Sequence, residues 1–127
     1  MILILFVLVL ETSQTAGDDI VSKAKSKLGC EYVYGASGPD KFDCSGFTQW
    51  VHKQFGISIP RTAALQEKGG SESSGEPGDI VCFGSPAYHV GIYIGNDECI
   101  HAPQTGDVVK ITKIKYFKSS YKFRRYY

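Results

Sequence analysis

The chain has 127 residues, enough for one domain with a single core and no more. Its 43% hydrophobic and 21% charged content is ordinary for a soluble globular protein and sets aside a disordered or low-complexity chain. Lys and Arg number 14 against 13 Asp and Glu, so global charge says little about partners.

Residues 1–10 read MILILFVLVL and are followed by polar ETSQTAG. An apolar run this short cannot span a bilayer as a helix, but it matches the core of a signal peptide. Segment 1–17 is therefore expected to be a signal peptide cut after Ala16 or Gly17. Residues 18–127 would then form the secreted, extracellular domain, with no stable membrane insertion. No Lys or Arg precedes the apolar run. A buried N-terminal strand or an uncleaved anchor is the other reading.

Ile20, Val21, Ala24 and Leu28 fall at helical spacing, with lysines on the other faces. Asp18 or Asp19 can cap this first helix and Gly29 can end it. CEYVYGASGPDKFD, residues 30–43, reads as a loop. A second helix is expected over residues 44–55, with Phe47, Trp50, Val51 and Phe55 as its apolar stripe. Asp43 is placed as N-cap and Gly56 as stop. His52 lies outside that stripe and reads as a solvated, dispensable surface histidine. SIPRTAALQEKG suggests a turn and a short helix, and GGSESSGEPG a flexible polar loop. Strands follow at residues 79–83, 88–94, 98–102, 108–114 and 121–127, with NDE as a tight hairpin. Helices first and strands later argue an α+β fold with an antiparallel sheet.

Four cysteines are present: Cys30, Cys44, Cys82 and Cys99. No CxxC pair occurs, so a zinc site has little support, and no metal or cofactor is expected. Cys82, within apolar IVCF, reads as a small core residue. The disulfide pairing of the other cysteines stays open. Cys44 differs from the rest, because it opens a helix after a loop and is followed by small Ser45 and Gly46. A helix N-terminus favours the attacking thiolate, and first-turn N–H groups can hold an oxyanion. His89 and His101 fall on neighbouring strands, where alternation can bring both imidazoles to one face. That is the nucleophile, base and orienter of a triad. Gly91 beside His89 is expected to leave room for the helix carrying Cys44. A lone helix-start cysteine is usually structural and a lone strand histidine usually just half-buried, so the weight rests on the combination.

FDCSGF, GDIVCF, HVGIYIG and CIHA resemble, in that order, the motifs of the NlpC/P60 cell-wall cysteine peptidases. YVYGASGP, IPRTAALQ and the closing RRYY match as well, so the resemblance runs from about Ile20 to Tyr127. It implies a papain-like α+β fold, with Cys44 as nucleophile, His89 as base and His101 as third polar residue. Tyr34, Asp43 and Ser45 match positions near the bound peptide. The implied reaction is cleavage between γ-D-glutamate and a diamino acid such as diaminopimelate in peptidoglycan stems. Many relatives carry an added wall-binding domain, for which this chain has no room. A different Cys/His amidase or transacylase, or an inactive wall-binding module, are the alternatives.

From Lys110 onward there are seven basic residues and no acidic one. They read as two surface strands with charged outer faces, ahead of attraction to an anionic wall polymer. Nucleic-acid binding shares that footprint but has no supporting motif.

Overall fold

The computed structural model describes residues 16–127. The expected leader therefore lies outside the described residues, apart from its last two positions. Among the described residues no helix is long and apolar enough to cross a membrane.

Residues 16–25 form helix α1, which buries Ile20 and Ala24 completely. Ala16 and Gly17 are already helical, so Asp18 and Asp19 sit inside the helix and do not cap it. Leu28 lies beyond its end, in the turn that closes with Gly29 at positive φ, and is 42% exposed. Two short strands, β1 (Glu31–Tyr32) and β2 (Lys41–Phe42), pair in parallel and fold the following loop back on itself. Helix α2 (Cys44–Lys53) starts at Asp43, whose carboxylate accepts from the Gly46 N–H. It ends as expected of a glycine stop. Gly56 takes φ 74°, its N–H donates to the Lys53 carbonyl, and the Ile57 N–H donates to the His52 carbonyl. Phe55 falls in that closing turn and is 40% exposed, so the stripe is Phe47 and Val51 with half-buried Trp50. Helix α3 (Ala63–Lys68) is capped by the Thr62 hydroxyl.

The remaining strands are β3 (Ser71–Ser73), β4 (Ile80–Gly84), β5 (Ala87–Gly95), β6 (Glu98–His101), β7 (Lys110–Lys113) and β8 (Tyr121–Arg125). They form one antiparallel sheet in the order β3-β8-β4-β5-β6-β7. Asn96 and Asp97, at φ 52° and 62°, make the tight turn from β5 to β6. Even-numbered residues of the central strands (Ile80, Cys82, Val90, Ile92, Ile100) meet the helices. Odd-numbered Val81, Phe83 and Cys99 face the other way, onto Ile114 of a short 3-10 turn and onto Phe117 and Phe123. The run IVCF is thus buried on both faces, as a continuous apolar strand requires.

Several expectations change. SES within the polar loop is an edge strand, because β8 supplies its backbone partners and Arg124 reaches back to the Gly69 and Gly70 carbonyls. The strand expected over 108–114 keeps only 110–113. Val109 instead donates its N–H to the Cys30 carbonyl. β8 is an interior strand, and its basic side chains are engaged: Lys122 with Glu67, Arg125 with Asp79. All four cysteines are free thiols.

His52 is the clearest correction, for it is completely buried. Its Nδ1 lies 2.9 Å from the Thr48 carbonyl, its Nε2 has no partner, and Tyr126 after β8 packs edge-on against the ring. Burial lowers this imidazole's pKa and favours the neutral ring, against the hydrogen bond to the Thr48 carbonyl and the more distant Asp79 carboxylate, which raise it. His52→Ala is therefore expected to cost about 2–4 kcal/mol, read as a fall in melting temperature. An imidazole kept neutral by the fold contributes fully above the unfolded pKa near 6.5, and less as pH falls below it. The gap between wild type and His52→Ala should accordingly be wider at pH 7.5 than at pH 5. An unchanged melting temperature at pH 7.5 would show that the ring is not packed as described.

Candidate active site

Cys44 is the first residue of α2, half-buried against the cluster formed by Ile59, Ala63, Ile80, Cys82, Ala87 and Val90. Burial pushes its thiol up, and neighbouring Asp43 adds to this. The Val90 N–H and the Ser45 N–H and hydroxyl oppose the shift by hydrogen bonding to the sulfur. The Gly46 and Phe47 N–H groups are taken by Asp43, by its side chain and its carbonyl respectively. Of the first turn, the Cys44 N–H and the Ser45 N–H, the latter held only by the sulfur, are the groups not committed to Asp43.

Val90, which touches the thiol, directly follows His89. The strand alternation works as expected: Tyr93 pairs with Cys99, which sets Gly91 opposite His101 and brings His89 diagonally onto His101. His89 Nε2 lies 2.8 Å from His101 Nδ1, and His101 Nε2 lies 2.8 Å from Thr112 Oγ1. Both imidazoles are almost fully buried. Burial pushes His89 down to about 4, and it lowers His101 as well, helped by His89 and Lys110. Phe83 and Phe117 stack on the His89 ring and keep its plane.

The reason for Gly91 is different from the one expected. α2 packs on the even-numbered face of β5, whereas His89, Gly91 and His101 share the odd-numbered face. A Cβ at Gly91 would come within 3.1 Å of the His101 Cβ and the Ile100 carbonyl oxygen. Glycine therefore makes room for the second histidine rather than for the helix. Cys44 meets β5 at the backbone of Val90, one residue after His89.

Asp43 and Ser45 are buried and committed to one network. The Asp43 carboxylate accepts from the Gly35 N–H at 3.0 Å, the Gly46 N–H at 2.6 Å and both terminal nitrogens of Arg61 at 3.0 and 2.7 Å. Arg61 also donates to the Ser45 hydroxyl at 2.9 Å. Asp43 thus acts as cap and anchor for Arg61. Tyr34 stands free in the loop before α2, 86% exposed, and is no part of the core. Sequence reasoning missed Arg61 and Thr112. IPRTAALQ contained the first without assigning it a task. The second was findable only from the β6–β7 register, which sets Thr112 against Cys99 and so on the face of His101.

The NlpC/P60 family model matches residues 29–125. A Corynebacterium glutamicum protein named "Probable endopeptidase Cgl2188" is 48% identical over 91 residues, covering 69% of this chain and 44% of that one. The Listeria monocytogenes protein named "Probable endopeptidase p60" is 46% identical over 92 residues, 68% of this chain and 19% of its own length. This chain thus spans less than half the length of these curated relatives. Among solved structures, NlpC1 from Trichomonas vaginalis matches with a TM-score of 0.81 at 38% identity, over 87% of this chain and 44% of that chain. The NlpC/p60 domain of the peptidoglycan hydrolase SagA matches with a TM-score of 0.80 at 37% identity, over 86% of this chain and 98% of that domain. The family model, the sequence identities and the fold agree, and the chain belongs to the NlpC/P60 family.

Proposed function

We propose that the chain is a cysteine peptidase that hydrolyses the amide bond between γ-D-glutamate and the diamino acid of peptidoglycan stem peptides. The observation that carries the proposal is that Cys44 lies at the Val90 N–H, one residue from His89, whose imidazole meets His101 and, through it, Thr112. The SagA match, titled a peptidoglycan hydrolase, supports the substrate class.

His89 uses Nε2 for His101, which leaves Nδ1 for the thiol. For Nδ1 to accept a proton, Nε2 must carry one and donate it to His101 Nδ1. His101 then carries its own proton on Nε2 and donates to the Thr112 hydroxyl oxygen. In this state Cys44 passes its proton to His89 as sulfur bonds to the γ-carbonyl carbon. The Cys44 and Ser45 N–H groups hold the resulting oxyanion. The C–N bond then breaks, and the departing amine takes the proton from His89. Water, deprotonated by the same imidazole, cleaves the thioester and restores the thiol. On this reading Tyr34 and the exposed edge of Arg61 are assigned to the acyl side of the peptide. Export of the chain, with loss of residues 1–17, belongs to the same reading, since the substrate is extracellular. Cleavage after Gly17 would fall within the helical stretch of α1.

Mass spectrometry of purified muropeptides after digestion tests the proposal. New termini at the γ-carboxyl of D-glutamate and the amine of the diamino acid are expected. Cleavage elsewhere, or of other amides only, would support the amidase or transacylase alternative. His101→Gln should keep part of the turnover, because an amide oxygen can accept from His89 Nε2. His101→Ala should lose roughly 100-fold more than the Gln variant, because no acceptor remains.

A further inference from the structure

Helix α3 touches both the helix that carries Cys44 and the strand that carries His89. Two consecutive side chains of α3 make that connection polar. Gln66 is completely buried and Glu67 nearly so. Gln66 Nε2 donates to the Ser45 carbonyl at 3.0 Å and to the Pro60 carbonyl at 2.8 Å. Its Oε1 accepts from the Thr48 hydroxyl at 2.6 Å. Only the NH2 end can serve two carbonyls at once, so the amide has a single orientation. The Ser45–Gly46 peptide is thereby pinned at both ends, its carbonyl by Gln66 and its N–H by Asp43. Glu67 turns to the sheet instead. Its carboxylate accepts from the Ala87 N–H at 2.8 Å, two residues before His89, and meets Lys122 at 2.8 Å. The β4–β5 register shifts at Phe83 and Gly84, and Glu67 supplies the acceptor for Ala87 at that irregular end of the ladder.

We infer that α3 sets the separation between nucleophile and base, with Gln66 and Glu67 as its two positioning residues. Gln66 acts on Cys44 through the first turn of α2, and Glu67 acts on His89 through the start of β5. The inference rests on the peptidase reading, which assigns Cys44 and His89 their roles. Proton transfer from the thiol needs the imidazole within hydrogen-bond reach. Packing of α2 on β5 does not secure this alone, because α2 covers the even-numbered face and His89 projects from the odd-numbered one. A third element that grips both backbones fixes the missing distance. Side-chain bonds suit that task better than apolar contact, because each bond has one length and one direction. Both grips are buried, so water cannot replace either bond without opening the structure.

The test uses Gln66→Met and Glu67→Leu, which remove the bonds with little change in volume. Muropeptide kcat and KM are measured, together with the rate of Cys44 alkylation by iodoacetamide at pH 7, read by mass spectrometry of the Cys44 peptide. Each variant should lose roughly 10- to 100-fold in kcat with KM nearly unchanged, the scale of a misplaced reacting group. Cys44 alkylation should slow about tenfold, because thiolate formation needs the imidazole in reach. Glu67→Gln keeps an acceptor for the Ala87 N–H and should recover most of the kcat lost in Glu67→Leu. Two further variants loosen α3 without touching either grip. Tyr126→Phe removes the hydroxyl bond to the Gln66 backbone carbonyl, and Lys122→Gln removes the ion pair with Glu67. Both should lower the melting temperature and keep the wild-type kcat. If kcat merely follows melting temperature across all the variants, or if Glu67→Gln is as slow as Glu67→Leu, the positioning assignment is wrong and the peptidase reading stands. If wild type cuts no muropeptide, the peptidase reading fails, and unchanged alkylation in Gln66→Met and Glu67→Leu would overturn the positioning assignment separately. Should Gln66→Met not fold, the two Glu67 variants decide.

Discussion

Cys44→Ala is expected to reduce muropeptide cleavage by roughly 10⁴-fold or more, with the melting temperature kept within a few degrees of wild type. The large kinetic effect follows from the covalent step, since alanine offers no nucleophile and His89 then has no proton to take. The small stability effect follows from position. The sulfur is half-buried at a helix start, and its partners are N–H groups and a hydroxyl that substrate or water can satisfy. Thiol alkylation gives an independent reading of the same claim. Cys82 and Cys99 are completely buried and pushed up to about 12, so neither competes for the reagent. Cys30 is half-buried, and a Cys30→Ser chain should still be inactivated by alkylation. Cleavage by Cys44→Ala at a tenth of the wild-type rate would remove the cysteine from the mechanism.

The largest loss of stability is expected at Asp79, far from the thiol. Asp79 is completely buried at the start of β4. Its carboxylate accepts from Arg125 Nε at 2.8 Å, Arg125 Nη2 at 3.2 Å, the Glu76 N–H at 2.8 Å and the Ser73 hydroxyl. One side chain thus ties β3, β8 and the turn into β4 together. Asp79→Ala would leave the guanidinium and an N–H without their acceptor, and breaking such a pair costs about 3–5 kcal/mol. For a domain of this size each kcal/mol lowers the melting temperature by roughly 4 °C, so a drop of about 12–20 °C is expected. Arg125→Ala should fall short of this, because it leaves Asp79 its Ser73 and Glu76 partners. The double variant should melt close to Asp79→Ala alone, since the two residues share one interaction. Additive losses would mean that Arg125 is held by something other than Asp79.

Features written within a few residues of each other were legible in the sequence. Asp43 ahead of CSGF and Gly56 after the helix bracket α2, because caps are satisfied by backbone groups three or four positions away. NDE fixed the β5–β6 hairpin through two consecutive residues at positive φ. The hairpin register then carried His89 and His101 onto one face, since strand alternation has a period of two. Cys44, His89 and His101 could therefore be named before any coordinate was known. What the sequence could not hold is which surfaces meet. Alternation places two histidines together but does not say which sheet face the helices cover. The packing of Ile80, Cys82, Val90 and Ile92 against α2 and α3 decided that, and changed the reason for Gly91. His52 looked exposed because it lies outside the expected stripe of Phe47, Trp50, Val51 and Phe55 on its own helix. Tyr126, 74 positions along the chain, covers it. Polar SES became a strand only when β8 arrived beside it. Arg61 met Asp43, and Thr112 met His101, across 18 and 11 positions of intervening chain. Periodicity and capping act over one or two turns of backbone and are written locally. Burial, ion pairs and sheet order depend on loop closure between distant segments, and only the tertiary structure decides them.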